Sequence, residues 1–197
     1  MSIANFPGML VSERQGWPEL DRSVLTHRAV ARGWVMVMSL IPPALYAYAE
    51  LNHPGAIFPL TVPALTTGQL ITTGIVFYLA ELAMVGFIAM MIQRISVARD
   101  HDPGYDRAYA LAAVTATPLW LAFLALMVPS LVVAVAAGLL GLMGAISLIH
   151  HGVRPLLHIS DEKTARHVAE TVTLVGIVVW IGLTPIAAMV LSLLLQR

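Results

Sequence analysis

The chain has 197 residues, of which 58% are hydrophobic and 11% charged, with a mean hydropathy of +0.82. An ordinary soluble domain is about 45–50% apolar and about 25% charged, so this composition is that of a polytopic membrane protein. Eleven basic against eleven acidic residues leave no basic field for nucleic acid, and the absence of cysteine excludes disulfides, thiolate metal sites and thiol catalysis.

Residues 1–27 form a first, cytoplasmic or interfacial segment. They contain Glu13, Arg14, Glu19, Asp21 and Arg22 and no long apolar core. They also lack a small-residue cleavage site, so no removable signal peptide is expected. The short apolar stretch from Ile3 to Val11, and Trp17 followed by Pro18, predict a segment lying at the membrane interface.

Residues 28–197 form the membrane domain. A hydrocarbon core of about 30 Å needs roughly 20 apolar residues per helix. Five runs qualify: Ala29 to Tyr48, Gly68 to Ile92, Ala108 to Val128, Ser130 to Ile149, and Val168 to Leu195. The fold class is therefore all-α, with five transmembrane helices. The third and fourth runs would make one helix about twice the bilayer thickness, so a break is required between them, and Pro129 supplies it. The loop from Asp100 to Asp106 holds three acids and a histidine but lacks the spacing of a calcium loop. It reads as a solvated turn, with Asp102 capping the next helix and Pro103 at its first position. Before the fifth span, Ser160 is the expected cap, with Asp161 and Glu162 in the first turn.

Basic residues set the orientation. Arg14, Arg22, Arg28, Arg32, Arg94, Arg99, Arg107, Arg154, Lys163 and Arg166 all fall on one side of a five-span map, and only Arg197 on the other. This bias predicts a cytoplasmic N-terminus and a C-terminus outside.

Glu81 stands near the middle of the second span. An ionised carboxylate at that depth costs several kcal/mol, so the group is expected to be neutral, paired or wetted. Helical spacing puts Gly74, Tyr78, Val85 and Ile88 on its face. Prolines interrupt other spans near the same depth. Pro42 and Pro43 free the carbonyls of Met38 and Ser39, Pro118 frees that of Val114, and Pro185 that of Ile181. A polar group of Glu81, Tyr78, Thr117 and Thr184 is expected, acting either as a proton-coupled path or as packing glue between helices.

In the fourth span Ala134, Gly138, Gly141 and Ala145 form a small-residue face for close helix packing, inside the chain or between two copies in a homo-oligomer. The histidines, His27, His53, His101, His150, His151, His158 and His167, fall at helix ends or in loops. His27, His150, His151 and His167 could meet at one face and hold a haem or metal, but interfacial roles are the simpler reading, and no cofactor is expected. HExxH, GxSxG and phosphate-loop motifs are absent, so the chain is expected not to be an enzyme.

Four passages resemble the Yip (Ypt/Rab-interacting protein) membrane family, in its short bacterial inner-membrane branch. They are Phe6-Pro7 through Trp17-Pro18-Glu19-Leu20; Tyr105-Asp106-Arg107-Ala108-Tyr109 leading into Ala116-Thr117-Pro118-Leu119; Leu148-Ile149-His150-His151-Gly152; and Ser160-Asp161-Glu162-Lys163-Thr164-Ala165. The resemblance implies five spans with a cytoplasmic N-terminus. Eukaryotic members are associated with Rab-type GTPases, vesicle traffic and membrane shaping, and carry a long hydrophilic N-terminal region where this chain has 27 residues. The family has no catalytic residue to carry over. The expected function is organisation of membrane or partner proteins through the cytoplasmic face, in a bacterial inner membrane. The alternatives are a small transporter or channel with a path past Glu81, and a haem-bearing electron carrier.

Overall fold

A computed structural model describes residues 6–26, 28–55 and 66–195, with side chains at 23–31 and 183–195 left aside. The described residues form eight α-helices and one 3-10 turn, with no strand among them. Two short helices, α1 (Phe6–Val11) and α2 (Trp17–Thr26), precede α3 (Arg28–Met38) and α4 (Ile41–Asn52). Then come α5 (Thr67–Val97), α6 (Tyr105–Ala122) running into the 3-10 turn Phe123–Met127, α7 (Leu131–Leu157) and α8 (Glu162–Leu195). Five segments are long and apolar enough to cross a bilayer: Arg32–Asn52, Thr67–Val97, Tyr105–Met127, Leu131–Leu157 and Glu162–Gly182.

The first span is not one regular helix. Pro42 and Pro43 carry no N–H, so the ladder cannot run straight through them. The Leu40 amide turns back to the Val37 carbonyl at 3.2 Å, which closes α3 and opens α4. Leu40 keeps helical dihedrals (φ −76°, ψ −22°), so the chain kinks but continues in the same span.

Capping sets the other boundaries. Thr66 and Gln69 form a reciprocal capping box at the start of α5, with the Thr66 amide donating to Gln69 Oε1 at 2.9 Å. Ser130 caps α7 just after Pro129, so the expected break lies where the proline demands it. Asp161, not Ser160, caps α8: its carboxylate accepts the Thr164 amide at 2.8 Å, and a charged acceptor suits a helix N-terminus. Nor does Asp102 cap α6. It accepts the Gly104 amide at 2.9 Å within the turn, and Gly104 stands at the N-cap with φ +76°, a conformation open to glycine.

The centre of the bundle is α6. Residues 110–115, with Ala108 and Thr117, are buried on every side of the helix. It packs against α7 and α5, and more lightly against α2 and α3. Lipid tails are as apolar as leucine, so burial alone drives little association inside a membrane; small side chains that admit close backbone contact do more. The alanine-rich stretch from Ala108 to Thr117 meets that requirement. The outer faces carry exposed Ile71, Ile75, Leu79, Val132, Leu140 and Val178, as a lipid-facing surface should.

Candidate functional site

Two polar regions could carry function, one inside the bundle and one at its arginine-rich end. Inside, Glu81 lies on α5 one turn from Tyr78. Its Oε2 accepts a hydrogen bond from Trp120 Nε1 on α6 at 2.9 Å. The Tyr78 hydroxyl donates to the Met36 carbonyl at 3.3 Å. That carbonyl stands at the kink, where the Leu40 amide has turned to Val37 instead. Thr117 Oγ1 donates to the Ala113 carbonyl at 3.1 Å and accepts from Trp34 Nε1 at 3.2 Å. Thr184 has its side chain outside the described residues.

Each of the three described members is thus tied to its own partner across the α3–α5–α6 junction, and no hydrogen bond among the described residues joins the three to one another. Carbonyls freed by prolines near the depth of Glu81 offered acceptors to a protonated carboxyl. In the structure its carboxyl group accepts from a tryptophan. Trp120 and Trp34 were missed. The available signal was that Trp120 follows Thr117 by three residues on α6, and that an indole N–H in lipid needs an acceptor.

The small-residue face of α7 divides in two. A Cβ placed on Gly141 would sit 2.9 Å from the Pro118 carbonyl oxygen, and one on Gly144 3.1 Å from the Pro118 Cβ. Gly141 and Ala145 are buried against α6. Ala134 packs beside Ala49 and Leu126. Gly138 has no heavy atom within 4 Å of such a Cβ and faces outward.

At the arginine-rich end, α1 and α2 fold back onto the bundle. Trp17, expected at the interface as an anchor, is fully buried together with Met9 and Leu20 in the main core. Its ring occupies a notch at Gly152, where any side chain would collide with the indole. Ser147 Oγ donates to the Leu10 carbonyl at 2.5 Å. Asp21 closes the arrangement: Arg107 Nε donates to its Oδ1 at 2.8 Å, and His158 Nε2 lies 3.0 Å from its Oδ2. One carboxyl group therefore joins α2, α6 and the end of α7. Burial pushes the Asp21 carboxyl up, but the hydrogen bonds and charges of Arg107 and His158 outweigh it and hold the group below the usual aspartate range. Nearby, Gln93 Nε2 donates to Asp102 Oδ1 at 3.2 Å, and His101 Nε2 meets the Leu157 carbonyl at 2.9 Å. These contacts bring the N-terminal segment, the α5–α6 turn and the α7–α8 turn to one end of the bundle.

The Yip1 domain family model matches residues 8–183, nearly the whole chain. The chain belongs to the Yip1 domain family. The matched range begins inside α1, so it takes in the docked segment with Trp17 and Asp21 as well as the spans. No curated protein and no solved structure matches the chain.

Within this Yip1 domain the histidines serve local structure. His151 Nδ1 meets the Ser147 carbonyl at 2.8 Å, His167 Nδ1 the Lys163 carbonyl at 3.2 Å, and His150 is exposed. His27 lies outside the described residues. Among the described residues no three His, Asp or Glu side chains converge on a point where a metal could be held.

Proposed function

We propose that this Yip1-family membrane protein is a non-enzymatic organiser of membrane or partner proteins in a bacterial inner membrane, with the N-terminus in the cytoplasm and the C-terminus outside. The observation that carries this reading is the docking of α1 and α2 onto the arginine-rich end through Trp17 and Asp21. It makes one ordered platform out of the N-terminal segment and two turns, with Arg14, Arg22, Arg99 and Arg166 exposed on it. The arginine bias supports a cytoplasmic location for that platform, and an ordered surface of mixed charge selects partners by charge complementarity. Affinity copurification from membranes tests the reading. Partners retained by the wild type should be lost when Arg99→Glu and Arg166→Glu reverse two of the platform's exposed charges, and kept in Glu81→Gln. Retention through the charge reversal contradicts it.

A second reading, a small transporter, is favoured by one observation: a carboxyl group stands at the middle of α5. Proteoliposome flux that disappears in Glu81→Gln would select it.

A further inference from the structure

We infer that the arginine-rich end carries a binding site for the phosphodiester headgroup of an acidic phospholipid. A shallow, open depression of about 360 Å³ lies there between the α1–α2 turn and the end of α7. Glu13, Arg14, Arg154, His158 and Ser160 line it. Its two arginines come from segments far apart in the chain, and a guanidinium pair is well matched to the oxygens of a phosphate. Among the described residues no acid pairs with the Arg14 side chain. Arg154 forms a loose, exposed ion pair with Glu13 at 3.7 Å, a contact worth little in water and open to exchange for a phosphate. His158 is turned to Asp21, and the carbonyl of Arg154 is capped by the Ile159 amide at 3.2 Å. Cationic side chains and the Glu13 carboxylate therefore line the depression rather than bare helix-end carbonyls, and a phosphate that enters competes with Glu13 for Arg154.

A stripe on α7 argues for a lipid rather than a free anion. Val132, Val135, Leu139 and Met143 are exposed apolar residues at helical spacing, and the same face continues to His150 and Arg154, also exposed. From Val132 to Arg154 is 22 residues, or about 33 Å of helix. A hydrocarbon core of about 30 Å thus leaves Arg154 at headgroup level when Val132 lies at the opposite edge. An acyl chain lying along the stripe brings its phosphate to the depression. There it bridges Arg14 on the N-terminal segment and Arg154 on the bundle, with the Ser160 hydroxyl as a further donor. A bound acidic lipid fastens the docked segment from outside, as Trp17 fastens it from within.

The test is thermal unfolding of the full chain in neutral detergent with added short-chain phosphatidylglycerol, phosphatidylcholine of equal chain length, or inorganic phosphate. Phosphatidylglycerol should raise the midpoint by about 5 °C at saturation. Phosphatidylcholine and phosphate should shift it far less. Arg14→Gln removes an exposed side chain with no described partner and should weaken the phosphatidylglycerol dependence at least about ten-fold, as should Arg154→Gln; Arg94→Gln, exposed on α5 and outside the depression, should leave it unchanged. Native mass spectrometry of the same variants counts retained lipids and reads binding independently of stability. Equal protection by phosphatidylcholine, full protection by inorganic phosphate, or an undiminished phosphatidylglycerol response in both Arg14→Gln and Arg154→Gln overturns the proposal.

Discussion

The indole of Trp17 lies over Gly152, and the glycine is what lets it lie there: a Cβ at position 152 would overlap the ring and crowd Leu111 Cδ1 at 2.8 Å. The segment ahead of the first span is thereby pinned to the C-terminal end of the fourth. Opening this contact should release α1 and α2 without unfolding the bundle. Gly152→Val and Trp17→Ala should each accelerate tryptic cleavage at Arg14 and Arg22 and lower the thermal midpoint. The indole is worth about 3–5 kcal/mol if its loss resembles that of a core aromatic in a soluble protein. Limited proteolysis in detergent reads the effect, and an unchanged cleavage rate in both variants would remove the docked segment from consideration.

The hydrogen bond from Trp120 to Glu81 spans two helices in a region without water to replace it. Glu81→Gln keeps a carbonyl oxygen for the indole N–H and should unfold near the wild-type temperature. Glu81→Leu leaves the donor unsatisfied and should cost about 1–2 kcal/mol. Trp120→Phe in the Glu81→Leu background removes the orphaned donor and should recover part of that loss. A double-mutant cycle by thermal melting measures the coupling; additive effects would dissolve the pair.

Gly138 and Gly141 are three residues apart on α7 and should respond unequally to the same substitution. Gly141→Ala drives a methyl group toward the Pro118 carbonyl and should lower stability by about 1–3 kcal/mol. Gly138→Ala meets open space and should change it by less than about 0.5 kcal/mol. Equal losses in melting experiments would mean that α6 and α7 pack differently.

Asp21 gives the docked end a pH dependence of defined sign. Its carboxyl is held below the ordinary aspartate value, so its contribution is complete above about pH 4 and is lost as the pH falls through the depressed value. Asp21→Asn should loosen the segment at neutral pH and flatten the acid limb of stability. Midpoints measured from pH 7 down to pH 3 check this, and parallel acid limbs in wild type and variant would contradict it.

The five spans were legible because each is a run of apolar residues bounded by charge, and the hairpin at Pro129 because proline cannot continue a helix. The kink after Met38 was half legible. Pro42 and Pro43 announce it, but the carbonyl that Tyr78 takes is that of Met36, because the Leu40 amide closes on Val37. Glu81 was conspicuous as a lone acid in an apolar run, whereas the run that holds Trp120 does not say which neighbour its indole meets; partner choice between helices depends on their rotation, which hydropathy does not encode. The central place of α6 and the notch at Gly152 were hidden for the same reason. A stripe of small residues says that something packs closely, not what does.

Photocrosslinking in native membranes decides where the protein works. A crosslinking amino acid would be placed at Arg99 and Arg166 on the arginine-rich end, and at Asn52 and Pro129 on the opposite end. Adducts to partner proteins should form from the first two positions and not from the second two. Adducts confined to Asn52 and Pro129, or none anywhere while reconstituted protein conducts a Glu81-dependent flux, would contradict a protein that acts through its arginine-rich platform.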